Sequence, residues 1–316
     1  MKTPNIVVVG SLNMDLVVSS RRMPRVGETI EGEAIHYIPG GKGANQAVGC
    51  GKLGANVAMI GAVGDDAFGS QLIDGLGQAG VKTDAVARLP GVPTGTATIL
   101  HTPEDNCIVI VPGANAHVSP DAIERSRAII EAADLLLVQL ENPLPAVERA
   151  LAIARAAGVA AILNPAPAKA LPDELIALAD WVTPNETEFA ALVGESDAGA
   201  VQDDASLAAA IERWEARYGN RLVVTLGSRG AATALDGRLV VAPAPRVTPV
   251  DTTGAGDCLN AAFAFGIASG QPAEDALAFA VRAASLSVTR FGAQAGMPTR
   301  AEVEAAFPEA PRGTDA

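Results

Sequence analysis

The stretch Val250 to Asn260 reads V-D-T-T-G-A-G-D-C-L-N and sets small and charged residues where a chain could handle an anion. It follows a run through Val247 and Pro249 that looks extended, and the Leu259, Phe263, Ile267 spacing beyond it is helical. Glycines at 254 and 256 permit a tight turn that aims several backbone N–H groups at one point. Together with the positive end of the helix, Gly254, Ala255, Gly256 and Asp257 make a candidate anion hole. Asp257 falls in the first helical turn, where the dipole favours its ionised form. A carboxylate beside an anion hole can take a proton from an alcohol while a phosphoryl group arrives next to it. An isolated G-x-G-D is more often only a turn and a helix-starting Asp. The preceding Asp251-Thr252-Thr253 lengthens the string and makes it more specific.

Other clusters carry possible chemistry. Gly10-Ser11-Leu12-Asn13-Met14-Asp15 follows the first strand-like run and presents Asn13 and Asp15 where open α/β sheets bind ligands. Asx-turn chemistry is the plainer reading. Pro39 to Ala47 is a glycine-rich turn into a helix bearing Lys42 and Asn45; Gly43 after the lysine rules out a Walker A loop. No G-x-G-x-x-G stands in the first βα turn, which weakens a dinucleotide site. Glu141, in Gln139-Leu140-Glu141, ends another strand at the same sheet edge, where a glutamate is usually just solvated. Asn185 and Glu188 lie three apart in Thr183-Pro184-Asn185-Glu186-Thr187-Glu188 and share a helix face, although a capping box explains that spacing too.

Thr225-Leu226-Gly227-Ser228-Arg229-Gly230 leaves a strand in a glycine turn, as a hairpin with Ala231–Leu235 would. Gly61 to Gly69, with Asp65 or Asp66 as a helix cap, and the rigid turn Asn164 to Pro167 read as structural. His36, His101 and His117 are dispersed, with no metal spacing and no Ser-His-Asp triad in prospect. Cys258 reads as a packing residue.

These clusters need a frame. Strand-like runs at Ile6–Val9, Val57–Ile60, Leu135–Leu140, Ala160–Leu163, Trp181–Thr183 and Leu222–Leu226 alternate with helical stretches at Ala44–Leu53, Phe68–Ala79, Pro120–Ala132, Pro145–Ala157 and Leu207–Tyr218. That alternation predicts an α/β fold: a doubly wound, mainly parallel sheet flanked by helices, one domain over residues 1–316. Met14 to Ile38 and Pro93 to Pro112 break it and predict a small inserted β-sheet, a lid from about residues 14–38 and 93–112. A lid with exposed β edges predicts a homodimer.

The chain has 316 residues and a net charge of −13, which argues against a nucleic-acid or acidic-membrane partner. No apolar run approaches a membrane span, and no secretion signal opens the chain. Three scattered cysteines fit free thiols in a cytoplasmic protein. Pro308 to Ala316 reads as frayed.

The string Asp251 to Asp257 resembles the C-terminal signature of the PfkB sugar kinases, and Gly10–Asp15, Pro24–Thr29 and Gly40–Gln46 resemble the N-terminal signature of that family's ribose-phosphorylating branch. The resemblance runs from Val9 to about Pro298 and implies an ATP-dependent kinase with Asp257 as catalytic base. It also implies that Asn13, Asp15, Gly41, Lys42, Asn45 and Glu141 hold the sugar. Asn185 and Glu188 would organise Mg²⁺ largely through water, as the N-x-x-E motif does. Thr225, Gly227, Ser228 and Gly230, with Asn185 and Gly256, would contact ATP. Asp251, Thr253, Ser287, Arg290, Gly292 and Gly296 would enclose K⁺, mostly by backbone carbonyls. Two positions depart from the pattern: Gly296 stands where some members have Ser near the cation, and Val281 where many have Asn or His against the adenine.

The expectation is phosphorylation of D-ribose at O5. The alternatives are a sister kinase acting on a nucleoside, deoxyribose, fructose or a keto-deoxy sugar acid, and, in a different class, a non-catalytic sugar-binding protein.

Overall fold

Short β-branched and leucine runs build the centre of the molecule because parallel strands covered on both faces can be apolar throughout rather than alternating. The computed structural model describes residues 2–193 and 203–308, so most of the tail read above as frayed lies outside them. In chain order, β1 (Asn5–Val9), β2 (Asn13–Ser19) and β3 (Ala34–Gly40) precede α1 (Lys42–Lys52), β4 (Asn56–Gly64), α2 (Ala67–Gln78) and β5 (Val81–Leu89). Strands β6 (Gly95–His101) and β7 (Asn106–Val111) lead into α3 (Pro120–Arg125), α4 (Arg127–Glu131), β8 (Leu135–Val138), α5 (Leu144–Ala157) and β9 (Ala160–Leu163). Next come α6 (Asp173–Ile176), β10 (Trp181–Val182), α7 (Glu186–Val193), α8 (Asp204–Tyr218) and β11 (Arg221–Thr225). The chain continues through β12 (Ala231–Leu235), β13 (Arg238–Ala242), α9 (Ala255–Ala268), α10 (Ala273–Ser287), α11 (Ala293–Gly296) and α12 (Arg300–Ala306).

Nine strands form the main sheet in the order β13-β12-β11-β10-β9-β8-β1-β4-β5, parallel from β11 to β5 with β12 and β13 antiparallel at one edge. Alternate residues feed two cores. Ile6, Val8, Leu135 and Leu137 pack towards α1, α9 and α10, whereas Val7, Val9, Leu136 and Val138 pack towards α5 and α8. Helices therefore cover both faces, as the doubly wound reading requires.

A separate four-stranded sheet, β3-β2-β6-β7, arises where the regular alternation breaks. Asn13 at the start of β2 pairs with both Gly40 and Gly95, so this sheet springs directly from the C-terminal edge of β1. Ile108, Val109, Ile110 and Val111 of β7, with Ile35 and Tyr37 of β3, remain about half exposed or more.

Several boundaries differ from expectation. The Pro120–Ala132 helix is split at Ser126, whose hydroxyl donates back to the Ala122 carbonyl and bends the chain there. Strand β8 stops at Val138: its neighbour β9 ends before Pro165, and Leu140 N donates instead to the Ala166 carbonyl. The run through Val247 and Pro249 joins neither sheet. Strands β5 and β13 and helix α10 have no counterpart in the sequence reading. Asp66 caps α2 by accepting from Gly69 N at 2.8 Å, as anticipated.

Candidate active site

Helix α9 begins without a side-chain cap. Its N-cap, Gly254, takes a left-handed backbone at φ 77°, and a Cβ there would stand 2.8 Å from that of Ala293. The Ala255 amide, one of the expected anion-hole donors, turns back to the Thr252 carbonyl at 3.2 Å; the amides of Gly256 and Asp257 have no intrahelical acceptor, and a Cβ added at Gly256 would meet nothing within 4 Å, so the space beside this turn is open. Asp257 follows, buried beneath it. Its Oδ2 accepts from Asn45 Nδ2 at 2.9 Å and its Oδ1 from Gln46 Nε2 at 2.9 Å. Burial pushes the Asp257 carboxyl above the ordinary range; Lys42, Asn45 and Gln46 pull it back in part, and Glu141 adds to the rise.

The sugar-site candidates converge on the same place. Helix α1 starts at Gly41, whose φ of 89° and approach to Asn13 N, 2.8 Å from where a Cβ would sit, leave room only for glycine. Lys42 N donates to Glu141 Oε2 at 3.1 Å, and Ser11 Oγ donates to the same oxygen. Asp15, half-buried on β2, is raised to about 7, first by burial and then by the charges of Glu141 and Asp257. Asp15, Glu141 and Asp257 thus lie close enough to act on one another's charge, with Lys42 acting on Asp257, an arrangement suited to gripping a polyol through its hydroxyls. Asn13 lies at this edge, but its Oδ1 is taken by Asn115 Nδ2 at 2.8 Å. Asn115 also bonds both backbone groups of Leu12 and so fixes the turn.

Beside the start of α9 lies a cavity of about 590 Å³ lined by Gly227, Ser228, Gly230, Thr252, Ala255 and Val281 among others. Val281, noted above for its side-chain type, does form part of this wall. Thr225 does not; its amide donates to the Pro184 carbonyl at 2.9 Å and places it next to Asn185. Asn185 and Glu188 cap each other: Asn185 N donates to Glu188 Oε2 at 2.9 Å and Glu188 N to Asn185 Oδ1 at 2.7 Å. Glu188 is nevertheless buried and its carboxyl pushed up by that burial; the Asn185 amide and Lys42 draw it down, and Asp257 pushes it up. Lys42 is therefore close enough to act on the charge of both Asp257 and Glu188.

The candidate cation residues also meet. Asp251 Oδ1 accepts from Thr253 N at 2.9 Å and Oδ2 from Gly292 N at 2.8 Å. Burial would raise Asp251, but these amides, with the Thr253 hydroxyl and the charge of His101, more than offset it and leave the carboxyl below its ordinary range. A Cβ added at Gly296 would lie 3.0 Å from the Ser287 carbonyl oxygen and 3.7 Å from that of Arg290, so the two carbonyls and Gly296 are neighbours. Arg290 turns its side chain away, to Glu302 at 2.7 Å. Among the described residues no group of three or more His, Cys, Asp or Glu side chains could hold a metal ion directly. Cys258 is buried and its thiol pushed up to about 12, as a packing residue would be.

Sequence reasoning gave no role to Gln46 or Asn115. Gln46 stands one residue beyond Asn45 in the glycine-rich string, and Asn115 in Gly113-Ala114-Asn115-Ala116-His117, where nothing local marks either as a partner of residues far away in the chain.

A profile of the pfkB family carbohydrate kinases matches residues 3–300. A ribokinase of Bacillus subtilis is 44% identical over 300 residues, 95% of this chain and 98% of that protein. A deoxyribokinase of Salmonella typhi is 36% identical, over 93% of this chain and 96% of that one. Among solved structures, Arabidopsis thaliana ribokinase complexed with ribose and ATP superimposes with a TM-score of 0.90 at 34% identity, over 98% of this chain and 100% of that one.

Proposed function

This chain belongs to the pfkB family of carbohydrate kinases, and from that premise we propose that it transfers the γ-phosphoryl group of ATP to O5 of D-ribose. The observation that carries the reading is the Asp257 carboxylate, buried at the open start of α9 with Asp15 and Glu141 close enough to act on its charge. Asp15, Glu141, Lys42 and Asn45, with the backbone at Gly41, hold the ribose hydroxyls. Asn13 contributes from the floor, with its carbonyl oxygen committed to Asn115.

Asp257 takes the O5 proton as the phosphoryl group is attacked. A carboxylate raised in this way accepts a proton more strongly than an ordinary one, while the Asn45 and Gln46 donors and Lys42 favour its ionised form. The amides of Gly256 and Asp257 receive the charge on the transferring phosphoryl oxygens, and Lys42, close enough to act on the charge of both Asp257 and Glu188, neutralises part of it. The nucleotide lies in the cavity lined by Gly227, Ser228 and Gly230, with Val281 against the base. Asn185 and Glu188 fit Mg²⁺ held through water, because each spends one oxygen on the other's amide and direct ligands are few; the ion would add charge neutralisation at the phosphates. The Asp251, Ser287, Arg290 and Gly296 cluster fits K⁺, whose binding would steady the 251–257 turn.

The small sheet acts as a lid over the sugar, and its exposed face, with Val109 at 60% exposure, pairs with a second copy to form a homodimer. Light scattering is expected to report a dimer, and a monomer alone would remove that assignment. Among the described residues no helix is long and apolar enough to cross a membrane. Free thiols at Cys50, Cys107 and Cys258 fit a cytoplasmic setting.

Likeness to deoxyribokinases makes 2-deoxyribose the nearest competing substrate. ADP release with Mg·ATP, measured against ribose, deoxyribose, fructose, adenosine and a keto-deoxy sugar acid in K⁺ or Na⁺, tests the proposal. Preference for ribose with stimulation by K⁺ is the expected result. Preference for another sugar overturns the substrate, and no turnover of any by folded protein returns the chain to a binding role.

A further inference from the structure

We propose that Gln46 is a positioning residue that sets the orientation and acidity of Asp257 through a closed ring of buried hydrogen bonds, a role that rests on Asp257 being the base. The ring is continuous. Gln46 Nε2 donates to Asp257 Oδ1 at 2.9 Å and to Asn164 Oδ1 at 3.1 Å. Asn164 Nδ2 donates to the Thr183 carbonyl at 3.1 Å, and Thr183 Oγ1 to Asn260 Oδ1 at 2.5 Å. Asn260 Nδ2 then donates to the Gly256 carbonyl at 2.9 Å, and Gly256 is the residue before Asp257. Gln46, Asn164, Thr183 and Asn260 are all buried, and they come from α1, from the ends of β9 and β10, and from α9.

Two physical consequences follow from the direction of these bonds. Asn164 Nδ2 is committed to a backbone carbonyl, so Asn164 presents its oxygen to Gln46, and the Gln46 NH₂ group has to face Asn164 and the carboxylate while its Oε1 accepts from Gln139 Nε2 at 2.5 Å. A flipped Gln46 amide would set oxygen against oxygen at both Asp257 and Asn164. The fixed donor favours the ionised base and partly offsets the rise caused by burial. At the other end, Asn260 grips the carbonyl of a planar peptide unit whose N–H belongs to Asp257. Holding that oxygen therefore aims one of the amides of the anion hole. One ring governs both the proton acceptor and a donor to the phosphoryl oxygens. Buried polar networks cost desolvation, and apolar packing would serve stability as well; what the bonded ring from Gln46 to Gly256 adds is a single orientation.

The test is the pH profile of kcat at saturating sugar, where Asp15 is engaged, for wild type, Gln46→Met, Gln46→Glu and Asn260→Ala. Gln46→Met removes the donor, and the acid limb is expected to move up by about one pH unit, the size of a hydrogen bond to a charged group. The plateau falls roughly tenfold to a hundredfold, as for a mispositioned reacting group, with the sugar KM held within about twofold because Gln46 faces Asp257 rather than the sugar hydroxyls. Gln46→Glu keeps the size and sets a second carboxylate beside the first, so its limb also moves up. Asn260→Ala lowers the plateau and leaves the limb in place. A folded Gln46→Met or Gln46→Glu enzyme with its acid limb at the wild-type pH overturns the proposal, even if turnover has dropped. Absence of wild-type turnover on any sugar sinks the kinase reading and this inference together, whereas wild-type turnover with an unmoved limb sinks this inference alone.

Discussion

Helices α9 and α12 start in opposite ways. At α12, Thr299 and Glu302 form a complete capping box within four consecutive residues: Glu302 N donates to the Thr299 hydroxyl at 3.3 Å, and Thr299 N to the Glu302 carboxylate at 2.7 Å. At α9 the N-cap is a glycine with no side chain to offer, and the carboxylate in the first turn is held by groups 211 and 212 residues away. Helix α7 lies between the extremes, with a reciprocal Asn185–Glu188 cap whose glutamate is nonetheless buried beside Lys42 and Asp257. A helix start that satisfies its own amides is finished as structure. One that leaves them open, at the end of a sheet and in front of empty space, is available to an anion.

The sharpest way to break that contrast is at Asp257. Asp257→Asn is expected to lower turnover by roughly three to four orders of magnitude, as loss of a general base does, with sugar binding by calorimetry largely retained. Asp257→Ala controls for the donor-against-donor contact that an amide would make with Asn45 or Gln46, and should lose as much. Near-normal turnover of either variant would remove Asp257 as the base.

Gly256→Ala separates function from stability at the same helix end. The added methyl meets no protein atom within 4 Å, and alanine favours the helix by about 0.5–1 kcal/mol. The melting temperature is expected to hold or rise. Turnover should fall about tenfold to a hundredfold because the methyl occupies the path of the phosphoryl oxygens. Unchanged turnover would mean that the open space is not that path.

Asp15 extends the comparison to pH. Its carboxyl lies near 7 in the fold, against an ordinary value close to 4, so the folded state holds an extra proton between those values. The stability associated with the protonated form is complete below about pH 4 and is lost as pH rises through about 7. Asp15→Asn should therefore melt higher than wild type at pH 8, by roughly 2–4 °C, with the gap closing towards pH 4, while binding ribose much more weakly. Equal melting points at both pH values would show that the carboxylate carries no such penalty.

Thr299→Ala gives the smallest effect and the necessary contrast. Loss of the α12 cap should cost about 1 kcal/mol of stability in denaturant unfolding and leave kcat and KM unchanged. A fall in turnover would mean that the self-capped helix start is also part of the site.

Much of this was legible before any fold was known. The D-T-T-G-A-G-D string locates the open helix start, since glycine at an N-cap and an acidic first turn are local chemistry. The parallel sheet follows from apolar runs at Ile6–Val9, Leu135–Leu140 and Ala160–Leu163 separated by helical stretches. Local rules failed where geometry came from neighbours: β5 (V-K-T-D-A-V-A-R-L) exposes alternate polar residues at the sheet edge, and the helix before β8 breaks at a serine that bonds backwards.

Sequence alone also determined the residue types at the site, because strand ends, caps and glycine turns are decided by residues a few positions apart. Only the tertiary structure decided which of them meet. It brings Gln46 to Asp257, Asn115 to Asn13, and Thr183 to Asn260 across separations of 211, 102 and 77 residues. It also decides that Asp15 and Asp257 hold their protons more tightly than ordinary carboxyls. Acidity depends on how much water a fold excludes and which charges it gathers, and no spacing along a chain encodes either.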